Sequence, residues 1–98
     1  MIRVVLPHHL QNLAQVGPEV RIDVLSPATI RAAIQTLERR FPSLRGLILD
    51  HTTGHRRPKV RFFACREDLS HVSLDDLLPD DVVTGREPLL VVGAISGG

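Results

Sequence analysis

The segment Leu89-Leu90-Val91-Val92 constrains the fold of this chain more than any other. It reads as a strand that is apolar on both faces, and such a strand belongs in the centre of a sheet with something packed over it. It is also the final strand, followed only by Gly93-Ala94-Ile95-Ser96-Gly97-Gly98. An ordered domain is therefore expected to hold out a short, bare peptide. Gly97 and Gly98 remove every Cβ near the terminal carboxylate, so the backbone there can enter a channel that a side chain would block. The carboxylate is the only functional group left at that end. That suits a carboxylate to be activated inside another protein's active site.

The remaining elements follow from hydrophobic period and punctuation. Ile2 to Leu6 reads as a first strand closed by Pro7, and Gly17 to Leu25 as a second, with Val20, Ile22 and Val24 alternating against Arg21, Asp23 and Leu25. Gly17-Pro18 supplies a turn, which predicts an N-terminal hairpin. Ser26-Pro27 reads as a helix start, with Ser as N-cap and Pro at the first helical position. Ile30, Ile34, Leu37 and Phe41 then form one apolar stripe, and Pro42 stops the helix. Ser43 to Asp50 is a short apolar connection and His51 to Pro58 a polar loop. Val60, Phe62 and Ala64 alternate with Arg61, Phe63 and Cys65 in a third strand. A helical turn is expected over Leu74 to Leu78, and Gly85 marks the turn into the last strand.

Strand, strand, helix, strand, short helix, strand, with one main helix across a mixed sheet and the last strand central, is the β-grasp arrangement of the α+β class. Residues 1–94 are expected to form the domain and 95–98 a flexible Gly-Gly tail.

Ninety-eight residues make one domain. Twelve Lys and Arg against eleven Asp and Glu, with no Trp or Tyr and three Phe, argue against nucleic-acid binding, because neither net charge nor stacking surface is available. A single cysteine, Cys65, rules out an internal disulfide and a CxxC pair. Met1 to Leu6 is too short for a signal-peptide core and Leu89 to Ile95 too short to span a bilayer, so cytoplasmic residence without membrane contact is the expectation.

Chemistry-bearing residues are few. Cys65 lacks an adjacent His or helix N-terminus to lower its pKa and reads as a small packing residue. His51 and His55, with Asp50, do not reach the three or four convergent ligands of a zinc site, so no metal is expected. Arg56, Arg57, Lys59 and Arg61 form a local basic cluster, either a solvated face or a source of electrostatic steering toward a larger partner. The alternation that buries Phe62 turns Phe63 outward, a candidate docking contact. No glycine-rich phosphate loop precedes a helix, and no catalytic constellation is evident.

Four stretches carry a family resemblance, the first three within the body of the chain. They are Thr29-Ile30 through Phe41-Pro42-Ser43-Leu44-Arg45, then Leu49-Asp50 with Gly54, and Val60 to Arg66 with Glu67-Asp68. Val91-Val92-Gly93-Ala94-Ile95-Ser96-Gly97-Gly98 completes the set. In these the chain resembles the ubiquitin-like sulfur carriers: the molybdopterin synthase small subunit, the thiamine-pathway carrier and the cysteine-biosynthesis carrier. Leu6-Pro7-His8-His9-Leu10 looks closest to the cysteine-pathway branch. The resemblance implies a protein cosubstrate rather than an enzyme. A ubiquitin-activating-type adenylyltransferase, using ATP, converts the Gly98 carboxylate to an acyl-adenylate. Sulfur then displaces AMP, and the thiocarboxylate serves a sulfur-accepting biosynthetic enzyme. Gly97 and Ser96 would be needed for activation, with Phe63, Arg61 and Ile95 as docking contacts and no cofactor held permanently. The rival implied reading is a ubiquitin-like modifier joined through Gly98 to target lysines; an interaction module with an inert tail is a third.

Overall fold

In the computed structural model, which describes residues 1–93, the chain runs β1 (Ile2–Val5), α1 (His8–Ala14), β2 (Glu19–Ile22), α2 (Ile30–Arg40) and a 3₁₀ turn (Pro42–Leu44). It continues through β3 (Val60–Ala64), β4 (Glu67–Asp68), α3 (Asp80–Val83) and β5 (Leu89–Gly93). The sheet order is β2-β1-β5-β3-β4, so the last strand is the central one. β5 pairs parallel with β1 (Val4 opposite Leu89) and antiparallel with β3 (Phe62 opposite Val91).

One core explains this arrangement. Ile30, Ala33, Ile34 and Leu37 form the inner stripe of α2 and are buried, as the three- and four-residue spacing requires. They share a cluster with the inward rows of the strands: Ile2 and Val4, Val20 and Ile22, Val60, Phe62 and Ala64, and Leu89 and Val91. The 3₁₀ turn adds Leu44, and the loop after it adds Ile48 and Leu49.

Four local expectations need correction. The first two strands are antiparallel neighbours (Val4 opposite Val20), but no tight turn at Gly17-Pro18 joins them; α1 lies between. That helix begins at Pro7, whose carbonyl accepts from the Leu10 and Gln11 amides, and Gln11 Nε2 ties it to the Leu6 carbonyl at 2.8 Å. It has no side-chain N-cap and buries only Leu10, so it leaves almost no periodic trace in sequence.

The N-cap of α2 is Thr29 rather than Ser26. Thr29 Oγ1 accepts from the Ala32 amide at 3.0 Å, while its backbone stays extended. Residues 28–31 are held in pairing with 74–78. The Leu78 amide donates to the Ala28 carbonyl, the Arg31 amide donates to Leu74, and Thr29 bridges Leu77. The same pairing keeps 74–78 out of a helix, and the short helix falls at α3 instead, where Val82 is buried.

The fourth correction concerns the second face of the central strand. Leu89 and Val91 point into the core, but Val92 on the other face is 45% exposed and Leu90 is half-buried. The strand is central as expected, yet neither Leu90 nor Val92 joins the core cluster. Entry to β5 depends on Gly85, at φ +84°, where a Cβ would come within 2.8 Å of the Met1 carbonyl oxygen.

Candidate docking face and tail root

β5 carries the chain to Gly93, which lies opposite Val60 at the start of β3. Among the residues expected to matter at the tail, Ile95, Ser96, Gly97 and Gly98 lie outside the described residues, as does the 95–98 boundary. Their root is defined: it leaves the middle of the sheet, between β1 and β3.

The register places one row of outward side chains across all five strands. Glu19 lies opposite Val5, Val5 opposite Leu90, Leu90 opposite Phe63, and Phe63 opposite Asp68. Val5, Leu90 and Phe63 are half-buried, and none joins the core cluster. Val92, one pleat nearer the tail and opposite Arg61, extends the apolar strip. Phe63 therefore points outward as expected, and it has company. Val5 and Val92 were missed as members of a patch, because only the strand register brings them beside Phe63.

Charge frames the strip at its two edges. Arg3 lies 3.0 Å from Glu19, with Arg21 at 3.6 Å from the same carboxylate, and Arg61 lies 3.2 Å from Asp68. The Arg3 hydrogen bond holds the Glu19 carboxyl below its ordinary range. The Asp68 carboxyl is lowered first by the Ser70 hydroxyl and then by the Ser70 amide, with Arg61 a smaller contribution. An apolar centre with a polar, charge-paired rim is the usual anatomy of a protein-docking surface.

Two members of the basic cluster, Arg56 and Arg57, are engaged within the domain. Arg56 donates to the carbonyls of Ser70 (3.0 Å) and Val60 (2.6 Å), and Arg57 to that of Gly46 (2.7 Å), with Asp50 3.5 Å away. Arg31 reaches the Gly54 carbonyl at 2.9 Å and Asp75 at 2.8 Å. These guanidiniums satisfy loop carbonyls, which suits their fixed fork of donors. Arg31 and Arg56 also line an open depression of about 430 Å³ beside His55, Ser73 and Leu74, and both guanidiniums are already engaged there. Asp50 accepts from the Thr52 and Thr53 amides and so closes the 50–54 turn. Among the described residues no group of His, Cys, Asp and Glu could hold a metal ion.

Cys65 and Arg66 form the two-residue turn between β3 and β4, both with positive φ (52° and 66°). Burial pushes the Cys65 thiol up, reinforced by Asp81, Glu87 and Glu67. That is the opposite of what a nucleophilic cysteine needs.

No family model and no curated protein matches the sequence. Solved structures do match. Small archaeal modifier protein 1 (SAMP1) from Haloferax volcanii is similar over 98% of this chain and 97% of its own, at TM-score 0.74 and 22% identity. A chain of the Amycolatopsis orientalis BexX/CysO complex is similar over 100% of both chains, at TM-score 0.77 and 17% identity. SAMP1 from Methanosarcina acetivorans covers 98% of this chain with 94% of its own, at TM-score 0.71 and 20% identity. These likenesses establish the β-grasp fold. Among the described residues no helix is long and apolar enough to cross a membrane.

Proposed function

We propose that this chain, in the form that ends at Gly98, is a sulfur carrier: a protein cosubstrate rather than an enzyme. The observation that carries the reading is the placement of the tail root. The central strand of the sheet carries the chain toward the Gly-Gly end beside an apolar strip that stays outside the core cluster of the described residues. A partner gripping Val5, Leu90, Phe63 and Val92 would hold the root of the tail, with Arg61 beside Val92 at the margin of the strip; Ile95 is proposed as a further contact. CysO, a protein of this fold, occurs in a complex with BexX, which supports docking to a protein partner as the mode of action.

The chemistry asked of the tail is simple. An oxygen of the Gly98 carboxylate attacks the α-phosphorus of ATP, bound by a ubiquitin-activating-type adenylating enzyme, and pyrophosphate leaves. Hydrosulfide then attacks the carbonyl carbon, AMP leaves with the electron pair of the broken C–O bond, and the thioacid gives up its proton. The resulting thiocarboxylate is a soft nucleophile for a sulfur-accepting biosynthetic enzyme, with the cysteine pathway the first to test. Ser96 and Gly97 serve by fitting the passage to the active site, where small misplacements are costly. ATP stays with the partner, and the carrier works in the cytoplasm.

Two measurements test this. Pyrophosphate exchange by the cognate activating enzyme should be abolished by deleting Gly98 and by a bulky residue at position 97, with folding unchanged. Protein purified from its native host should show the mass gain of one oxygen exchanged for sulfur. Normal exchange without Gly98 would defeat the reading.

A further inference from the structure

A second apolar surface lies away from the outward strip. Val24 and Ala28, in the connection from β2 to α2, share an open cleft of about 240 Å³ with Leu77, Leu78 and Val83. Ala28 and Leu78 are buried, whereas Leu77 is 71% exposed and Leu25, next to Val24, is 89% exposed. The backbone explains the split. The Leu78 amide donates to the Ala28 carbonyl and Thr29 bridges Leu77, so successive side chains there point to opposite sides. One leucine fills the core and its neighbour is left in water. The same bonds tie the two walls of the cleft together.

Charge decides what the cleft fits. Residues 74–83 contain four aspartates and no lysine or arginine. Asp75 is taken by Arg31 at 2.8 Å and Asp81 by Arg86 at 3.5 Å. Asp80 lines the cleft, Asp76 adjoins Leu77 and Asp23 adjoins Val24; all three are exposed and none has an ion-pair partner among the described residues. An apolar centre with such a rim attracts cationic partners and repels acidic ones. The cleft is also open and smaller than the roughly 300–1,000 Å³ of pockets that enclose small molecules. Side chains presented by a peptide segment suit it better.

Its place in the fold is distinct from the tail root. Asp23 follows Ile22, the register partner of Ile2, and Val83 lies just before Gly85, which packs against the Met1 carbonyl. Both walls therefore lie at the Met1 end of the sheet. The tail root lies at the other end, because Leu89 is level with Val4 and β5 runs on to Gly93. At about 3.3 Å per residue, the offset from Ile2 to Gly93 is roughly 20 Å along the strands.

We propose that this cleft is a second docking site, for a protein segment that carries an apolar side chain between lysines or arginines. Leu25, Leu77 and Val83 cover the apolar side chain, and Asp23, Asp76 and Asp80 meet the flanking cations. The distance from the tail root allows the site to be filled while another partner holds the outward strip.

The test pans a phage-displayed library of random peptides against the full chain, then titrates the most enriched peptide into isotope-labelled full chain by NMR. The peptides recovered should place Leu, Ile or Phe beside Lys or Arg, and the shifted amides should fall within 23–28 and 76–83. Leu77→Ser and Asp76→Lys should each weaken binding by about tenfold or more, and added salt should weaken it further. Both side chains are exposed, so melting temperatures should match wild type; if either variant unfolds, Leu25→Ser replaces it. The proposal is overturned if no peptide is enriched, if those enriched are neutral or acidic, if the shifts centre on Phe63 and Leu90, or if Asp76→Lys binds as tightly as wild type. Self-association in sedimentation that Leu77→Ser abolishes would give the cleft to a second copy and overturn it equally.

Discussion

The Phe62 amide donates to Ser70 Oγ at 2.9 Å, so a serine hydroxyl takes up the β3 ladder where the two-residue strand β4 has already ended. The Leu69 amide answers with a bond to the Phe62 carbonyl at 2.7 Å. Together these fix the strand position that turns Phe62 inward and Phe63 outward. Ser70→Ala would leave a buried N–H without a partner, and should cost about 1–3 kcal/mol. A chemical denaturation midpoint equal to wild type would show that this hydroxyl is dispensable.

The apolar strip should matter for docking and not for folding. Phe63→Ser and Leu90→Ser are expected to lower kcat/KM of the activating enzyme for this chain by about tenfold or more each, the scale of a hot-spot contact of 1–2 kcal/mol. Thermal stability should change little by comparison. Unaltered kinetics in the double variant would move the interface elsewhere.

Cys65-Arg66 occupies a turn in which both residues have positive φ, the geometry that Asn-Gly adopts most readily. Arg66→Gly should relieve left-handed strain of about 1–2 kcal/mol, less about 0.5–1 kcal/mol of added unfolded-state entropy. A small net stabilisation is the expected outcome, read as a raised Tm. Cys65→Ala should leave adenylation and sulfur loading intact, and iodoacetamide should alkylate wild-type Cys65 more slowly than free cysteine at neutral pH. Loss of sulfur loading in a folded, adenylated Cys65→Ala chain would place the thiol in the mechanism.

Acid stability follows from four carboxyls. Glu19, Asp50 and Asp68 are held below their ordinary values, by Arg3, by the Thr53 and Thr52 amides, and by Ser70 respectively. Each binds a proton less readily when folded. Its contribution is therefore present above the unfolded-state value and is lost as pH falls through the lower folded value. Glu38 is raised by burial, so it opposes folding when ionised, and protonation relieves it. Glu38→Gln should raise Tm at pH 7 and lose that advantage in acid, whereas Asp68→Asn should lower Tm at pH 7 and matter less in acid. The reverse pattern in a pH series of melting curves would contradict these assignments.

What was legible in sequence was whatever a periodic pattern or a single strong residue dictates. The α2 stripe, the central position of Leu89 to Val92 and the outward Phe63 are of that kind. What escaped were features set by partners distant in the chain. Helix α1 buries one side chain and has no capping hydroxyl, so its seven residues carry no period. The cap moved from Ser26 to Thr29 because Leu74 and Leu78 claim the intervening backbone. Arg56 and Arg57 read as a charged surface because nothing in sequence reveals that carbonyls of Ser70, Val60 and Gly46 converge on them. The outward apolar strip was visible only as Phe63, since its other members come from β1 and β5.

The parallel pairing of β1 with β5 has a mechanical consequence. The two strands start at the same end of the sheet, so tension between the N-terminal end and the tail pulls them past one another along their length. The hydrogen bonds between them are then loaded together in shear rather than opened one after another. A partner that tugs on the tail meets the domain in its most resistant direction. A pull on Asp68, at the far end of the edge strand from its turn, would instead open the two pairs of β4 with Phe63 and Ala64 one after the other. The chain can therefore be handled by its end without being undone by it.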